Sequence, residues 1–462
     1  MKLRVITIVG LTVIAAALLV TPYVVGQNIE SSFKAEIARA DEGMDFDIRL
    51  ERYDRGWFSA VADVTGAYEG HRVRMTYDIT HGPWPNLNWA SIEGRITDAQ
   101  EPDGQRMAWM SMFDGDDVAA LTLDSTIPFT GGIDIELFSP AGRAQLNPET
   151  QLVWRGLTGM ISQHGNQREL HIDMPGLNLT EGQGIGKIAG ITIDGHGERD
   201  SADAPLWNQK FDVSVASVSL DDPTQDVSLN LSASLAHESS PSADGQTYGM
   251  NTTLGVSDLT LDPGGQEEVV RINSAAIAYR LEGFETSALN ALTDFIAKHQ
   301  DNTLDETARQ RLQQIIGQAL AGNPKLTVAI PRVDSARGQM QAELSLALAP
   351  SSSTSQGTAI NVAALMDRMR LEGNTAIDIS LLRQWASASG ENGQVTLKML
   401  DDLVDQGYFR IQNEQVASDI QASAQLIRIN GRVLSDAERR AWLMMAFGVL
   451  TGLDMSSASG QP

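Results

Sequence analysis

Carboxylate and imidazole side chains are the groups in this chain best suited to acid–base or metal chemistry. No two histidines bracket a glutamate at the i, i+4 spacing of a zinc-protease helix; they are His71, His81, His164, His171, His196, His237 and His299. Asp221 and Asp222 are adjacent carboxylates, but neighbouring residues of a strand point to opposite faces, so they share a substrate only if the strand ends before them. A hydrolase or carbohydrate-modifying enzyme with a carboxylate-based site is the alternative function that we keep open.

Cofactor and metal motifs are weak in this sequence. Gly184–Ala189 matches a relaxed G-x-G-x-x-A pattern, but Ile191 and Ile193 predict a strand where a helix N-terminus would have to hold pyrophosphate. We therefore predict a loop there. Residues 114–117 depart from the spacing of a calcium loop and are predicted to form an acidic surface turn. With no cysteine, the chain has no thiolate metal site and no disulfide, and we predict no cofactor, no metal and no catalytic residue.

The charge balance excludes a large class of partners. The chain has 34 Lys and Arg against 59 Asp and Glu, a net charge of −25 at pH 7. A nucleic-acid binder needs a cationic surface that replaces counterions on phosphate, so we predict no nucleic acid partner. The 462 residues, 42% of them hydrophobic, are enough for two or three domains with buried cores.

Residues 5–25 carry no charge, and a helix of this length spans the ~30 Å hydrocarbon core of a bilayer. Lys2 and Arg4 precede the run and favour the cytoplasmic side, so the chain from about Gln27 onward is expected beyond the membrane. A cleaved secretory signal is the less favoured alternative, because the apolar run continues past the small residues Ala15 and Ala17. We predict a signal-anchor transmembrane helix over residues 1–26, with the bulk of the chain exported.

Polar and apolar residues alternate along most of the remaining chain, which is typical of antiparallel strands with one wet face. Similar Leu-x-Leu strand endings recur at equal intervals, which predicts stacked hairpins, with chance recurrence as the alternative; they lie at 177–180, 218–221 and 259–262. We predict an α+β fold, mainly antiparallel β, with a long curved sheet and helices on one side. The predicted regions after the anchor are a β-rich region with repeated hairpins, 27–284, and an α+β region, 285–462.

Helices are predicted where apolar residues recur every three or four positions, at 27–40, 286–298, 304–321, 380–388 and 395–406. The first of these is expected to stand the folded part off the membrane. A further helix opens at Ser435–Glu438 with a capping box, and its body is apolar on all sides at Trp442, Leu443, Met444 and Phe447. A buried helix is the favoured interpretation, and a face for a partner or for the membrane is the alternative.

Three short motifs resemble those of one known family. They are a Tyr-x-Arg-Gly-x-Phe-Ser turn, a His-Gly-Pro element and a terminal Asn-Gly strand end, at Tyr53, Arg55, Gly56, Phe58, His81, Gly82, Pro83, Asn430 and Gly431. Together with the anchor, they resemble the YdgA-like proteins of the Gram-negative cell envelope across essentially the whole chain. The resemblance implies an inner-membrane anchor, a periplasmic location for the bulk of the chain and no established enzymatic activity.

Physical reasoning predicts structural roles for these motif residues. Gly56 is expected to take the positive φ of a hairpin turn, with Tyr53 over the turn and Phe58 beside it. Pro83 is expected to end the strand that includes His81, because proline donates no ladder hydrogen bond. A catalytic His81 would need a nucleophile or metal partner that the neighbouring sequence does not supply.

We therefore expect a non-enzymatic envelope protein whose long sheet presents a binding or scaffold surface. The candidate partners are the inner membrane through residues 5–25, a lipid, an envelope protein and a second copy of the chain. The Leu-x-Leu strands and the apolar last helix motivate this expectation, and the parallel with groove-forming lipid-handling proteins is an analogy of fold.

Overall fold

The computed structural model describes residues 27–35, 37–38, 47–82, 88–113, 118–201, 206–265, 269–298, 305–320, 323–349, 367–388, 398, 400–423 and 425–439. The predictions for residues 5–25, for Pro83, for 114–117 and for Trp442–Phe447 lie outside these residues. Among the helices of the described ranges, none combines the length and the apolarity that crossing a bilayer requires.

Antiparallel strands dominate the fold, as the alternating pattern predicts. The first eleven are β1 (Asp47–Arg55), β2 (Ser59–Tyr68), β3 (His71–His81), β4 (Asn88–Gln100), β5 (Leu121–Pro128), β6 (Ile133–Ser139), β7 (Gly142–Asn147), β8 (Thr150–Trp154), β9 (Leu157–His164), β10 (Gln167–Glu181) and β11 (Gly184–Glu198). The next eleven are β12 (Asn208–Asp222), β13 (Val227–Pro241), β14 (Thr247–Asp262), β15 (Val270–Glu285), β16 (Lys325–Ser335), β17 (Gly338–Leu348), β18 (Met369–Asp378), β19 (Arg410–Gln412), β20 (Gln415–Ser423), β21 (Ile427–Ile429) and β22 (Arg432–Val433).

The chain divides into two compact units. The first comprises 1–236, 260–267 and 296–303, and the second comprises 237–259, 268–295 and 304–462. In the first unit, antiparallel pairing runs in the order β1–β2–β3–β4–β5–β6–β9–β10–β11–β12, and β8 pairs with the end of β10 and with β7.

Two short helical segments cover parts of the first unit. Residues 27–35 form helix α1, whose Ile29 and Phe33 pack on a core of Ala60, Ala62 and Ile79. A 3₁₀ helix, Ala108–Phe113, contributes Met110 and Phe113 to a second core with Ala99 and Ala120. Helix α1 thus packs on the sheet; that it stands the folded part off the membrane stays a prediction.

In the second unit, antiparallel pairing runs β15–β16–β17–β18–β20–β21–β22, and β19 also pairs with β20. The predicted helices are confirmed as α2 (Thr286–Lys298), α3 (Glu306–Ala319) and α4 (Ile379–Ala388). The Asp305 side chain caps α3 by accepting a hydrogen bond from the Ala308 backbone N–H at 2.7 Å. Helices α2 and α3 share a core that includes Phe295 and Ile315.

The Asn430-Gly431 motif forms the tight turn between β21 and β22, with φ of 50° and 83°. The Asn430 side chain donates to the backbone carbonyls of Gly407 and Tyr408 at 3.1 and 3.0 Å, and it accepts from the backbone N–H of Asp419 at 2.9 Å. Asparagine tolerates this left-handed backbone. Because its side chain also connects three backbone segments, the motif has a structural role in the second unit.

The capping box at Ser435 is also confirmed. Glu438 accepts from the Ser435 backbone N–H at 2.8 Å and from its hydroxyl at 2.6 Å, while the Glu438 N–H donates back to that hydroxyl at 3.4 Å. These hydrogen bonds stabilise the carboxylate and lower the pKa of Glu438 to about 2.

Two local predictions were wrong. Gly56 does not take a positive φ; instead, a side chain there would lie 3.2 Å from the Ser59 carbonyl, so space and not backbone freedom favours glycine. Gly184–Ala189 forms the start of β11 and not a loop, because its residues pair with both β10 and β12.

Candidate functional site

The sheet of the first unit has one polar face, and acidic residues line up across it. Register places Asp78 opposite Glu93, Glu93 opposite Asp124 and Asp124 opposite Glu136, on the neighbouring strands β3, β4, β5 and β6. Arg95 partly balances this row, with nitrogens 2.5 Å from Glu93 and 3.6 Å from Asp78.

The polar face continues over β10, β11 and β12. His171 lies opposite Asp194, which lies opposite Asp212, and the His171 Nδ1 is 2.7 Å from the Asp194 carboxylate. The other face of these three strands is apolar. The polar side chains of His171, Asp194 and Asp212 therefore mark the side of the sheet that faces water.

Asp124 is the carboxyl group most affected by this arrangement. Desolvation and the flanking Glu93 and Glu136 raise its pKa, and Arg95 opposes that rise. Like charges on adjacent strands disfavour the ionised form, so the carboxylates of this row repel one another at neutral pH. Asp124 itself is exposed, which places this repulsion at the surface and not in a closed site.

The opposite face of the same strands is apolar and incompletely buried. Two rows of facing residues cross β6, β9, β10, β11 and β12, and their apolar side chains are half-buried in the described part of the chain. We call this surface the open face; its residues are Ile135, Leu137, Ile161, Leu170, Ile172, Ile193, Phe211 and Val213.

Glycines interrupt the open face at fixed places. A Cβ at Gly159 would lie 3.1 Å from Ile172, and one at Gly195 would lie 3.2 Å from Leu170 and 3.4 Å from Phe211. Larger side chains of the neighbouring strands therefore lean over the glycines and form a continuous apolar surface.

The same face is fully buried at its β1–β4 end, where α1 lies on it. We call this region the covered corner: Ala60, Ala62 and Ile79 are 2%, 0% and 1% exposed beneath α1. The Phe33 ring lies 5.9 Å from Tyr53 and 5.3 Å from Tyr77, the latter edge-on.

Charges at the end of β1 fix the position of α1. Glu30 pairs with Arg55 at 3.0 Å and with Lys34 at 2.8 Å, and the Lys34 ammonium lies 5.5 Å from the Tyr53 ring centre. Burial and the nearby Glu30 raise the pKa of Tyr53, and burial raises the pKa of Tyr77. Tyr53 and Arg55 of the Tyr-x-Arg-Gly turn thus hold the helix and do not cover the turn.

The remaining motif residues shape the end of the sheet. The His81 backbone N–H donates to the Phe58 carbonyl at 2.9 Å, and the Gly82 N–H donates to the Trp89 carbonyl at 3.0 Å. The His81 side chain is fully buried, and Gly82 has a φ of 101°, which glycine adopts readily. These backbone hydrogen bonds connect the β1–β2 turn, β3 and β4, so the described motif residues have a structural role.

Asp221 and Asp222, the candidate catalytic pair, do not face the same site. Asp221 and Asp222 both lie within β12, so their side chains point to opposite faces. Asp222 accepts hydrogen bonds from the Thr224 hydroxyl and backbone N–H, which lower its pKa and mark it as the cap of a turn. Within the described ranges, no group of three or more His, Asp or Glu has the geometry to hold a metal ion.

Sequence reasoning missed the acidic row and the covered corner. Each row residue is one acid at a polar position of its own strand, and only the register between strands brings the acids together. The contact between α1 and the sheet had a clearer signal, because Ile29 and Phe33 lie one turn apart on the same helix face.

This architecture defines a class: an antiparallel sheet protein with one acidic face in water and one apolar face that a short N-terminal helix covers in part. The family model that matches is described as bacterial protein of unknown function (DUF945), and it matches residues 1–436. The chain belongs to this family. No curated protein and no solved structure matches.

Proposed function

We propose that the chain is an inner-membrane-anchored periplasmic protein of the YdgA-like type that holds the acyl chain of a membrane lipid on its open face and catalyses no reaction. One observation carries this proposal. The apolar face is buried to completion under α1, whereas it stays half-buried along β6 and β9–β12.

The chemistry of the open face fits an acyl chain. Its side chains are aliphatic or aromatic, and five neighbouring strands at ~4.8 Å spacing give it a breadth of about 19 Å. The other face of the same strands carries His171, Asp194 and Asp212, which would be costly to transfer into hydrocarbon. The sheet therefore offers one apolar side to a ligand while the other side stays in water.

Neighbouring residues on opposite faces make a sharp test. A photoreactive benzoylphenylalanine replaces Ile193 in one full-length variant and Asp194 in the matched control, and each is irradiated in proteoliposomes of phosphatidylethanolamine and phosphatidylglycerol. We expect lipid adducts by mass spectrometry at 193 and none at 194. Equal labelling at both positions, or none at 193, would overturn the proposal.

Other occupants give distinct products in the same experiment. Adducts at 193 with a second copy of the chain would assign the open face to self-association, and adducts with an envelope protein in intact cells would assign it to a protein partner. Either result without lipid adducts contradicts lipid binding. Resistance of the full chain to carbonate extraction, with protease access only from the periplasmic side, tests the predicted anchor and location.

A further inference from the structure

The end of the sheet that carries Arg55 is also the end nearest to the N-terminal part of α1 that the structure describes. Glu30 pairs there with Arg55, the last residue of β1, at 3.0 Å. Phe33, one turn later, contacts Tyr53, which lies farther from that end. The described part of α1 therefore runs away from this edge, and in the sequence the uncharged run 5–25 ends two positions before Gln27, the first described residue of α1.

Four exposed aromatic side chains gather at the same edge, which we call the aromatic edge, whereas the exposed Tyr68 and Phe138 lie toward the other end of the strands. Trp57 and Phe58 lie in the β1–β2 turn, Trp89 lies at the start of β4 and Phe129 follows β5; they are 50%, 43%, 40% and 42% exposed. The Trp89 and Phe129 rings meet edge-on at 4.9 Å. Register aligns these strand ends, because Ser59 faces Thr80, His81 faces Ala90 and Asn88 faces Pro128.

Two arginines continue the aromatic edge at the β10–β12 strand ends. The guanidinium carbons of Arg168 and Arg199 lie 4.1 and 4.6 Å from the centre of the Trp207 ring. Glu198 and Asp200 are neighbours of Arg199 in sequence, so the local charge is mixed. Guanidinium groups are well suited to lipid phosphate, and indole rings favour the interface between headgroups and acyl chains.

The turns at the other end of the same strands differ in chemistry. They carry acidic residues, and we call this end the acidic edge: Glu69, Glu101, Asp103, Glu181 and Asp222. An anionic leaflet repels such an edge and tolerates the aromatic one. The charge pattern thus favours one end of the sheet for contact with a bilayer, and Glu30 of α1 pairs with Arg55 at the same end.

We propose that the aromatic edge docks on the bilayer that holds the anchor, with Trp57, Phe58, Trp89 and Phe129 at the headgroup–acyl boundary. Arg168 and Arg199 bind lipid phosphates beside them. This inference rests on the proposed anchor, and it adds that the sheet stands end-on to the membrane, so that a lipid leaving the bilayer meets the open face from its edge.

The absence of cysteine makes the depth of each edge directly measurable. Single cysteines replace Phe58 or Phe129 at the aromatic edge, and Tyr68 or Leu220 near the acidic edge, which are 43% and 44% exposed. Each full-length variant is spin-labelled in proteoliposomes of phosphatidylethanolamine and phosphatidylglycerol. We expect a higher ratio of oxygen to nickel-complex accessibility at 58 and 129 than at 68 and 220.

Failure of docking and failure of the anchor give different results. A chain that carbonate strips from the vesicles contradicts the anchor itself. A chain that resists carbonate but has water-like labels at 58 and 129, or membrane-like labels at all four positions, overturns docking through the aromatic edge.

Substitution of the edge provides a second test in the same vesicles. In a double variant, Phe58→Ser with Trp57→Ser, the label at 129 should move to a shallower depth. The matched variant Tyr68→Ser with Leu220→Ser should leave the depth at 129 unchanged. An unchanged depth in the first variant, with native circular dichroism, contradicts the proposal as well.

Discussion

The covered corner and the open face are two parts of one sheet face, and they differ in what lies on them. At the covered corner, α1 excludes water and leaves Ala62 and Ile79 at 0% and 1% exposure. On the open face, facing residues such as Ile172 and Ile193 follow the same alternation and stay half-buried. The strands alone therefore build an apolar surface, and a helix is needed to turn that surface into a core.

The largest expected difference between the two regions concerns isoleucine truncation. Ile79→Ala should destabilise the β2–β3 region by ~2–5 kcal/mol, because it leaves a cavity in a closed core. Ile193→Ala should cost about 1 kcal/mol, because the side chain is already partly in water. Hydrogen exchange of the two strand pairs measures each effect locally, and equal losses of protection would show that the open face is a closed core as well.

Removal of the Phe33 side chain should expose part of the covered corner to water. Phe33→Ala deletes the ring that packs on Tyr53 and Tyr77, and loss of a large buried apolar group costs ~3–5 kcal/mol when burial is complete. Phe33 is only partly buried, so we expect a smaller loss, with faster hydrogen exchange in α1 and unchanged exchange in β10–β12. Ser32→Ala, at the exposed position before Phe33, is the matched control and should leave α1 protected.

Glycine substitutions should separate the two regions with a smaller effect. A Cβ at Gly94, in the covered corner, would lie 2.7 Å from the Tyr77 ring, which Phe33 holds in place. Gly94→Ala should therefore cost ~1–3 kcal/mol through overpacking. Gly195→Ala places its Cβ 3.2 Å from Leu170 on the open face, where the neighbours can move, and should change stability by less than about 0.5 kcal/mol. Comparable losses in thermal melting of both variants would contradict this difference.

Much of the fold was predictable because each strand carries its own pattern. Alternation at Ile133–Leu137 and Phe211–Val215 places β6 and β12, and the recurrence of apolar residues over 304–321 and 380–388 places α3 and α4. Register was not predictable, because the pairing of Asp124 with Glu93 and Glu136 depends on turn lengths. The pairing of β6 with β9 depends in addition on a neighbour order that skips β7 and β8. The candidate site depends on that register. For this reason the sequence motifs predicted the structural role of His81 but did not predict the open face.

The smallest expected effect is a pH dependence confined to the polar face. The raised pKa of Asp124 means that the folded state binds its proton more tightly than the unfolded state, whose carboxyl titrates near 3.8. Stability contributed by this group is therefore greatest below that value and falls as pH rises through the folded pKa. Asp124→Asn removes the penalty, so the variant should be slightly more stable than the parent at pH 7 and equal to it in acid.

A second substitution tests the cause of this shift. Glu93→Gln removes one of the two flanking carboxylates, so the pKa of Asp124 should move down towards 3.8 in a carboxyl-carbon NMR titration. Gln at 93 keeps the side-chain length, and it also frees Arg95 to pair with Asp78, which lowers the repulsion further. A pKa of Asp124 that does not change in this variant would mean that Glu93 does not contribute to it. Asp124 would then not be coupled to the acidic row across β4.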